Sequence, residues 1–562
     1  MSNNMLVGVL ELSCGKTYGR QVKSNGKVGK LYYGISHSYK DIPTVKTPYE
    51  IKKTSCSRYY TDKYVLFEIV KHSNTERPEA ILVETLGNTD DLDAFCKYRA
   101  YQEKLSLSSS WNKEINNAKI NELQKHQTQE THHETKENDV INVFTIDPEG
   151  CCDMDDALGI CKYVNPETKD EMFDIYVAIT CVPSYLVDLI ELGLSPNQLI
   201  NSLKNTCSLY LCGNVVNMMP KKFAENICSL NKGNVKPVLV LKIVWNNTQK
   251  IVEDETLCIE NAKIVENYVY DSSELLQNAS YKQMFDCVNN MVSNCKTFDT
   301  CGFVNDSHTM VAYLMTYMNK YVCDWLDSRD LPCIYRVNMR KSGKKELPEE
   351  MKELERKIGY YSGSYCTKEN IDLQKNDEDS DENSDNSDNS DNSDIIVWTH
   401  ITSPMRRLSD LTNMITIALN LDNQQNQQNQ QNQQNQQNKK PINRYLCLTQ
   451  FRDYSLSIVE RINYEYKKSR RVSLDCELFS FIKQSSDKIL TKEYEGIILD
   501  IENNDDEQDL VVYIEELSRI FNVKNKIIDN KTKFSEYDKI NCRIIVFDEC
   551  QTINDKVRLA KC

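Results

Sequence analysis

At 562 residues the chain exceeds the roughly 250 to 300 at which one hydrophobic core stops growing, so several units are expected. Its net charge is −15, which argues against a uniformly basic polyanion binder, but nine of the acids crowd into residues 376–394, so only local surfaces inform on nucleic-acid binding. The 22 cysteines form no CxxC pair, which disfavours a zinc ribbon or a thioredoxin-like site and predicts buried thiols in a reducing compartment. There is no run of about 18 apolar residues and no leader-like start, so an intracellular, cytoplasmic protein without a membrane span is expected.

In chain order, residues 1–105 read as short strands: MLVGVLEL, YGRQVK, GKLYYGI, KYVLFEIVKH and EAILVETLG, divided by Gly, Asn and Pro. That pattern predicts a small β-barrel, passing into the helical spacing of DDLDAFCKYRAYQEKLSL. Residues 106–138 read as a polar linker, and its His132–His133 pair lacks the further ligands a metal site needs. Residues 139–487 alternate between strand and helix patterns. Two low-complexity inserts, 374–394 (SDN repeats) and 422–440 (Gln/Asn repeats), are expected to be disordered surface loops, since neither buries enough apolar surface to offset its ordering entropy. Residues 488–562 alternate again and predict a second small barrel. The fold class expected is therefore multidomain α+β: a mixed α/β body flanked by small OB-type β-barrels.

The stretch TIDPEGCCDMDDAL, residues 145–158, packs five carboxylates between Asp147 and Asp156. INVFTID is β-branched enough to be a strand, with Asp147 at its end, and the next strand is MFDIYVAIT. The intervening loop returns Asp153, Asp155 and Asp156. Carboxylates about 4 Å apart repel by about 4 kcal/mol at an effective dielectric near 20, so convergence implies cations. Oxygen-only ligands favour Mg²⁺ or Mn²⁺, and the spacing is not that of an EF-hand loop. Such a set suits two-metal phosphodiester hydrolysis. A solvated acidic turn and a sugar-nucleotide transferase DxD are the alternatives that the motif alone leaves open.

The same stretch resembles the signature of the ribonuclease II / ribonuclease R family (RNB-domain 3′→5′ exoribonucleases, including the exosome hydrolytic subunit): an aspartate followed, six residues on, by DxDD. Further blocks follow in the family's order: YVAITCVPSYL, SLYLCGNVVNMMPKKFAENICSLNKG, TMVAYLMTYMNKYVCDWL, IYRVN and WTHITSPMRRLSDL. Together they span residues 141–415.

The resemblance implies that Asp147, Asp153, Asp155 and Asp156 are both the metal-binding and the catalytic set, with Asp156 least dispensable. It makes Arg406 the catalytic arginine, whose guanidinium fork can hold two phosphate oxygens. The bland role for Arg406 is a helical salt bridge to Asp410, and the same holds for Arg407, otherwise an RNA contact. Tyr210 matches the tyrosine that stacks on the terminal nucleotide, and Tyr268 lies near another RNA-contacting tyrosine of the family. Thr399, His400, Thr402 and Ser403 are expected to shape their loop. The flanking barrels would be a cold-shock-type OB domain before the RNB catalytic body and an S1-type OB domain after it, gripping RNA.

Four positions depart from the family pattern: Cys181 stands for an aspartate, Asn338 for a histidine, and Met414 and Ile415 for a His-Arg pair. They bear on substrate grip rather than on metal binding. The implied function is Mg²⁺-dependent 3′→5′ hydrolysis of single-stranded RNA to nucleoside 5′-monophosphates, by a monomer or within a larger RNA-decay complex. The alternative is a catalytically impaired RNA-binding paralogue serving as a scaffold.

Overall fold

In the computed structural model, residues 5–561 are described except 23–26, 40–41, 52–59, 72–76, 109–116, 131–139, 295–303, 341–353, 356–360, 372–394, 433–442, 485–491, 504–506, 527–533, 547–552 and 554–556. His132, His133 and the SDN insert lie outside the described residues.

The first unit contains β1 (Leu6–Leu10), β2 (Arg20–Val22), β3 (Val28–Ser36), β4 (Val45–Tyr49), β5 (Lys63–Lys71) and β6 (Glu79–Asn88), in the order β1-β5-β6-β4-β3-β2. Because β1 also pairs with β3, five of these strands run round on themselves. Alternating apolar residues, among them Leu10, Ile35, Val45, Val65 and Phe67, fill the inside. Strand β4, VKTPY, was not among the strands read from sequence; its lysine and Pro48 hide it. Helix α1 (Leu92–Gln102) follows, capped by the Asp91 side chain.

The 106–138 linker is corrected in part. Asn117–Glu130 forms helix α2, and Ile120 and Leu123, three residues apart, are buried in the core that also holds Met405, Leu408 and Leu411. Two apolar residues on one helical face are enough to dock a polar helix but too few to reveal it.

The body is built on a closed barrel of β7 (Val140–Asp147), β8 (Asp156–Val164), β9 (Glu171–Thr180), and, after helices α3 (Val182–Glu191) and α4 (Pro196–Ser202) and the hairpin β10 (Leu209–Leu211) and β11 (Asn214–Val216), the long strands β12 (Val235–Asn246) and β13 (Ile251–Val269). Strand β7 runs parallel to β13 but meets β8 at a single pair, Phe144 and Leu158. At Gly159 a Cβ would stand 2.7 Å from the Asn142 carbonyl, so only glycine lets β8 cross β7 there. One apolar core lies between this barrel and α5 (Ser273–Gln277), α6 (Ala279–Asn294) and α7 (Ser307–Asp327). Helix α7 starts at an Asp306–Thr309 capping box and buries Met310, Leu314, Met318, Val322 and Leu326 at helical spacing.

A three-stranded sheet of β14 (Tyr335–Arg340), β15 (Tyr361–Cys366) and β16 (Ile395–Thr399) leads into helices α8 (Leu408–Asn432), α9 (Thr449–Ser457) and α10 (Val459–Gln484). Helix α8 continues through the first Gln/Asn repeats to Asn432, where sequence reading expected a disordered loop. Propagation from the buried segment Leu408–Leu421 costs little and glutamine is a good helix former. Met414 and Ile415 are both fully buried, one in each of the two body cores, which accounts for apolar residues at positions where the family carries a polar pair.

The last unit contains β17 (Glu493–Asn503), β18 (Glu507–Ile514), β19 (Arg519–Lys526), β20 (Lys539–Val546) and β21 (Val557–Lys561), ordered β19-β18-β17-β20-β21. Helix α10 is the strut between the two outer units. Phe95 stacks on Phe479 with centroids 4.2 Å apart, and Asp475 accepts from Arg99 (2.7 Å) and from Arg519 (2.8 Å). Among the described residues no helix is long and apolar enough to cross a membrane.

Candidate active site

Asp147 ends β7 and Asp156 begins β8, so the barrel itself fixes two of the four acids. The loop between them turns at Gly150 (φ +80°), a conformation side chains disfavour. Ser229 then pins it: the Met154 amide donates to Ser229 Oγ at 3.1 Å, and that hydroxyl donates to the Cys152 carbonyl at 3.0 Å. The Thr180 amide donates to the Asp155 carbonyl at 2.9 Å, tying the loop to the end of β9. The CSL block of the sequence thus serves as the clamp of the acidic loop, a role no spacing announced.

The Asp155 side chain is buried and faces the arginine segment: Met405 N donates to Oδ1 at 3.2 Å, and Arg406 Nε stands 3.4 Å from Oδ2. That segment is held by backbone bonds to the start of the β10 hairpin, Ser208 N to Arg406 O (3.0 Å) and Leu408 N to Thr206 O (2.9 Å). The half-exposed Tyr210 is carried by this same hairpin, on the side of the Arg406 segment. Burial by itself would lower the Arg406 pKa; Asp155 and Tyr210 overcome that and hold the group cationic.

Electrostatics define the acids as a group. Burial pushes the Asp155 carboxyl up to about 8 against the pull of Arg406, and burial with the charge of Asp147 pushes Asp156 up to about 7. Asp147 is raised by burial, which outweighs the lowering influence of the neighbouring Thr145 and Cys151 side chains. Cys151 also donates to Asp153 Oδ1 at 3.8 Å. Among the described residues, no three His, Cys, Asp or Glu side chains gather closely enough to ligate one ion as they stand. The acids nevertheless suit cations. Asp147 Oδ2 is buried with no hydrogen-bond partner among the described residues, and Asp155 and Asp156 stay raised in spite of the Arg406 charge, so further positive charge would be needed to keep them ionised.

Arg407 and Tyr268 each have a structural partner. Arg407 turns away from the acids to Asp410, at 2.8 Å, with its backbone bridged to Cys207; Asp410 also receives the Ser403 amide, so this pair closes the loop rather than facing the cleft. Tyr268 packs edge-on against Phe144, and its hydroxyl accepts from Asn278 at 2.8 Å. The residue nearer the acids is Tyr270, beyond the end of β13, where strand alternation no longer applies. Its ring stacks on His308 (3.6 Å, 8°), and the charges of Asp156 and Asp147 add to burial in raising its hydroxyl. Thr399, Thr402 and Ser403 are buried and His400 partly so: Thr399 donates to Asn319 O, and His400 Nδ1 bonds the Tyr365 hydroxyl at 2.8 Å. Cys181 occupies the N-cap of α3 without a side-chain cap bond.

With this geometry in view, residues 135–277 match the family model of the RNB domain. The chain is 31% identical over 118 residues to Exoribonuclease 2 of Buchnera aphidicola, and 24% identical over 255 residues to Ribonuclease R of Mycoplasma genitalium. These alignments cover 21% and 38% of this chain but only 16% and 33% of the relatives. Among solved structures, Mycoplasma genitalium RNase R in complex with ribose-methylated single-stranded RNA shares the fold at a TM-score of 0.62 and 16% identity, over 100% of this chain and 90% of that one. Yeast Ssd1, described as a pseudonuclease, shares it at 0.53 and 13% identity, over 93% of this chain and 65% of that one. The resemblance to the ribonuclease II / ribonuclease R family stands: the segment carrying the acids is of the RNB kind.

Proposed function

We propose that the chain is a Mg²⁺-dependent hydrolytic exoribonuclease that shortens single-stranded RNA from its 3′ end and releases nucleoside 5′-monophosphates. The observation that carries this reading is the meeting of Asp155 with Arg406: a carboxylate set suited to cations and a fixed guanidinium share one cleft, though they are far apart in sequence. Asp147, Asp153, Asp155 and Asp156 would hold Mg²⁺ or Mn²⁺, which when bound supplies Lewis-acid charge at the phosphate and lowers the pKa of an attacking water. Arg406 places hydrogen-bond donors at the phosphate oxygens, where charge builds toward the transition state. The exposed Tyr210 ring offers a stacking face worth about 1 to 3 kcal/mol per base without sequence preference. Direction and product rest on the family resemblance, and so do the cold-shock-type and S1-type OB roles assigned to the first and last β units.

A second reading, a binding protein without turnover, is favoured by the fold shared with the pseudonuclease Ssd1. The four acids and Arg406 count against it. A denaturing gel of 5′-labelled single-stranded RNA decides: a ladder with Mg²⁺ that EDTA abolishes supports the enzyme, and unchanged but retarded RNA supports the binder.

A further inference from the structure

Helix α10 lays four polar side chains, each four residues from the last and so on one face, against a single short segment of chain. Arg461 Nη2 donates to the Lys204 carbonyl at 2.6 Å, and Glu465 Oε2 accepts from the Thr206 amide at 2.7 Å and from its hydroxyl at 3.0 Å. Ser469 Oγ accepts from the Cys207 thiol at 3.4 Å, and the Ser473 hydroxyl donates to the Tyr210 carbonyl at 2.7 Å. The other edge of that segment holds the arginine segment: Ser208 N donates to Arg406 O, Leu408 N donates to Thr206 O, and Cys207 bridges Arg407. This bridge belongs to no larger sheet, so whatever fixes residues 204–210 also fixes the backbone from which Arg406 reaches Asp155. Glu465 makes the firmest of the four contacts. Its side chain is 14% exposed, it takes two bonds from Thr206 on one carboxylate oxygen, and Arg461 Nε holds the other oxygen at 2.7 Å. Hydrogen bonds to an ionised acceptor are about twice as strong as neutral ones.

We propose that Glu465 is a positioning residue for Arg406. Acting through Thr206, it sets the register of the 406–408 backbone and with it the place of the guanidinium beside Asp155 and over the scissile phosphate. The placement over a phosphate rests on the exoribonuclease reading of the cleft; the placement beside Asp155 does not.

The test measures cleavage of single-stranded RNA by the full chain and by its Glu465→Ala, Glu465→Gln and Asp475→Ala variants, at a temperature where all are folded. Glu465→Ala is expected to lower kcat about 10- to 100-fold while KM stays within about twofold, the usual result of displacing a reacting group by about 1 Å. Glu465→Gln, whose amide oxygen can still accept from Thr206, is expected to recover most of that loss. Asp475→Ala, which weakens the same helix where it joins the outer units, is expected to keep the wild-type kcat. A Glu465→Ala variant with unchanged kcat, or with only KM raised, overturns the proposal, as does a Glu465→Gln variant no faster than Glu465→Ala or an equal loss of kcat in Asp475→Ala. A readout that needs no turnover is modification of Arg406 by phenylglyoxal, followed by peptide mass. Its rate should rise severalfold in Glu465→Ala while that of Arg452, on α9, stays the same, and an unchanged Arg406 rate overturns the proposal. If the wild-type chain leaves RNA uncut, the exoribonuclease reading fails by itself, and the labelling still decides whether Glu465 places Arg406.

Discussion

Arg406 Nε lies 3.4 Å from the buried Asp155 carboxylate, while its neighbour Arg407 pairs with Asp410 at 2.8 Å. Adjacent arginines thus serve opposite sides of one loop. Replacing Arg406 by Ala should lower the single-turnover cleavage rate about 10² to 10³-fold, the usual loss for one pre-aimed charge-stabilising donor, while RNA affinity by filter binding changes less than about threefold. Arg407→Ala should instead lower the melting temperature, because it strips the buried Asp410 of its ion pair. The reverse pattern would assign the roles the other way round.

Asp156→Asn should abolish hydrolysis and leave RNA binding nearly intact. Titration of Mn²⁺ into the chain by calorimetry should show weakened uptake in the same variant. Chelation by EDTA should stop the wild-type reaction, and excess Mg²⁺ should restore it. Turnover by Asp156→Asn at the wild-type rate would remove these acids from the chemistry.

His400 is partly buried, and its pKa is driven well below the usual histidine value, first by desolvation and then by the charges of Arg407, Arg336 and Arg406. The folded state therefore binds the neutral ring, and the unfolded state takes up the proton first. The stabilisation is present above the unfolded value of about 6.5 and is lost as pH falls from there toward the folded value. Urea unfolding at pH 7.5 and 5.5 should show this fall, and His400→Gln should flatten it. Equal slopes in both proteins would place the pH dependence elsewhere.

Asp475 is buried and receives both Arg99 and Arg519, so it couples the two outer β units through α10. Asp475→Ala should cost about 3 to 5 kcal/mol in unfolding free energy, since it removes a buried acid shared by two guanidinium groups. Limited proteolysis should then release the first and last units earlier than the body. Asp475→Ala with wild-type stability would mean that Phe95 and Phe479 alone hold the joint.

Much of the skeleton was legible along the chain. The barrel strands that bear the acids show β-branched runs, α7 shows its apolar period, and the outer units show alternation interrupted by turn residues. What escaped was local and weakly patterned. Strand β4 carries a proline, α2 docks through only Ile120 and Leu123, and α8 runs on into polar repeats because helix propagation outlasts the buried segment that starts it. Sequence reading singled out Tyr268 and passed over Tyr270, which lies just past the end of the strand and stacks on His308.

By itself the sequence determined which carboxylates recur together, since strand period and loop length are local properties of the chain, and it determined the order of the blocks that accompany them. Tertiary structure alone decided that Arg406 and not Arg407 meets Asp155, that the 206–208 backbone bonds to the arginine segment, and that Ser229 clamps the acidic loop. Those pairings join residues far apart along the chain, and the direction a side chain takes across such a gap is set by packing and backbone bonds that no spacing records.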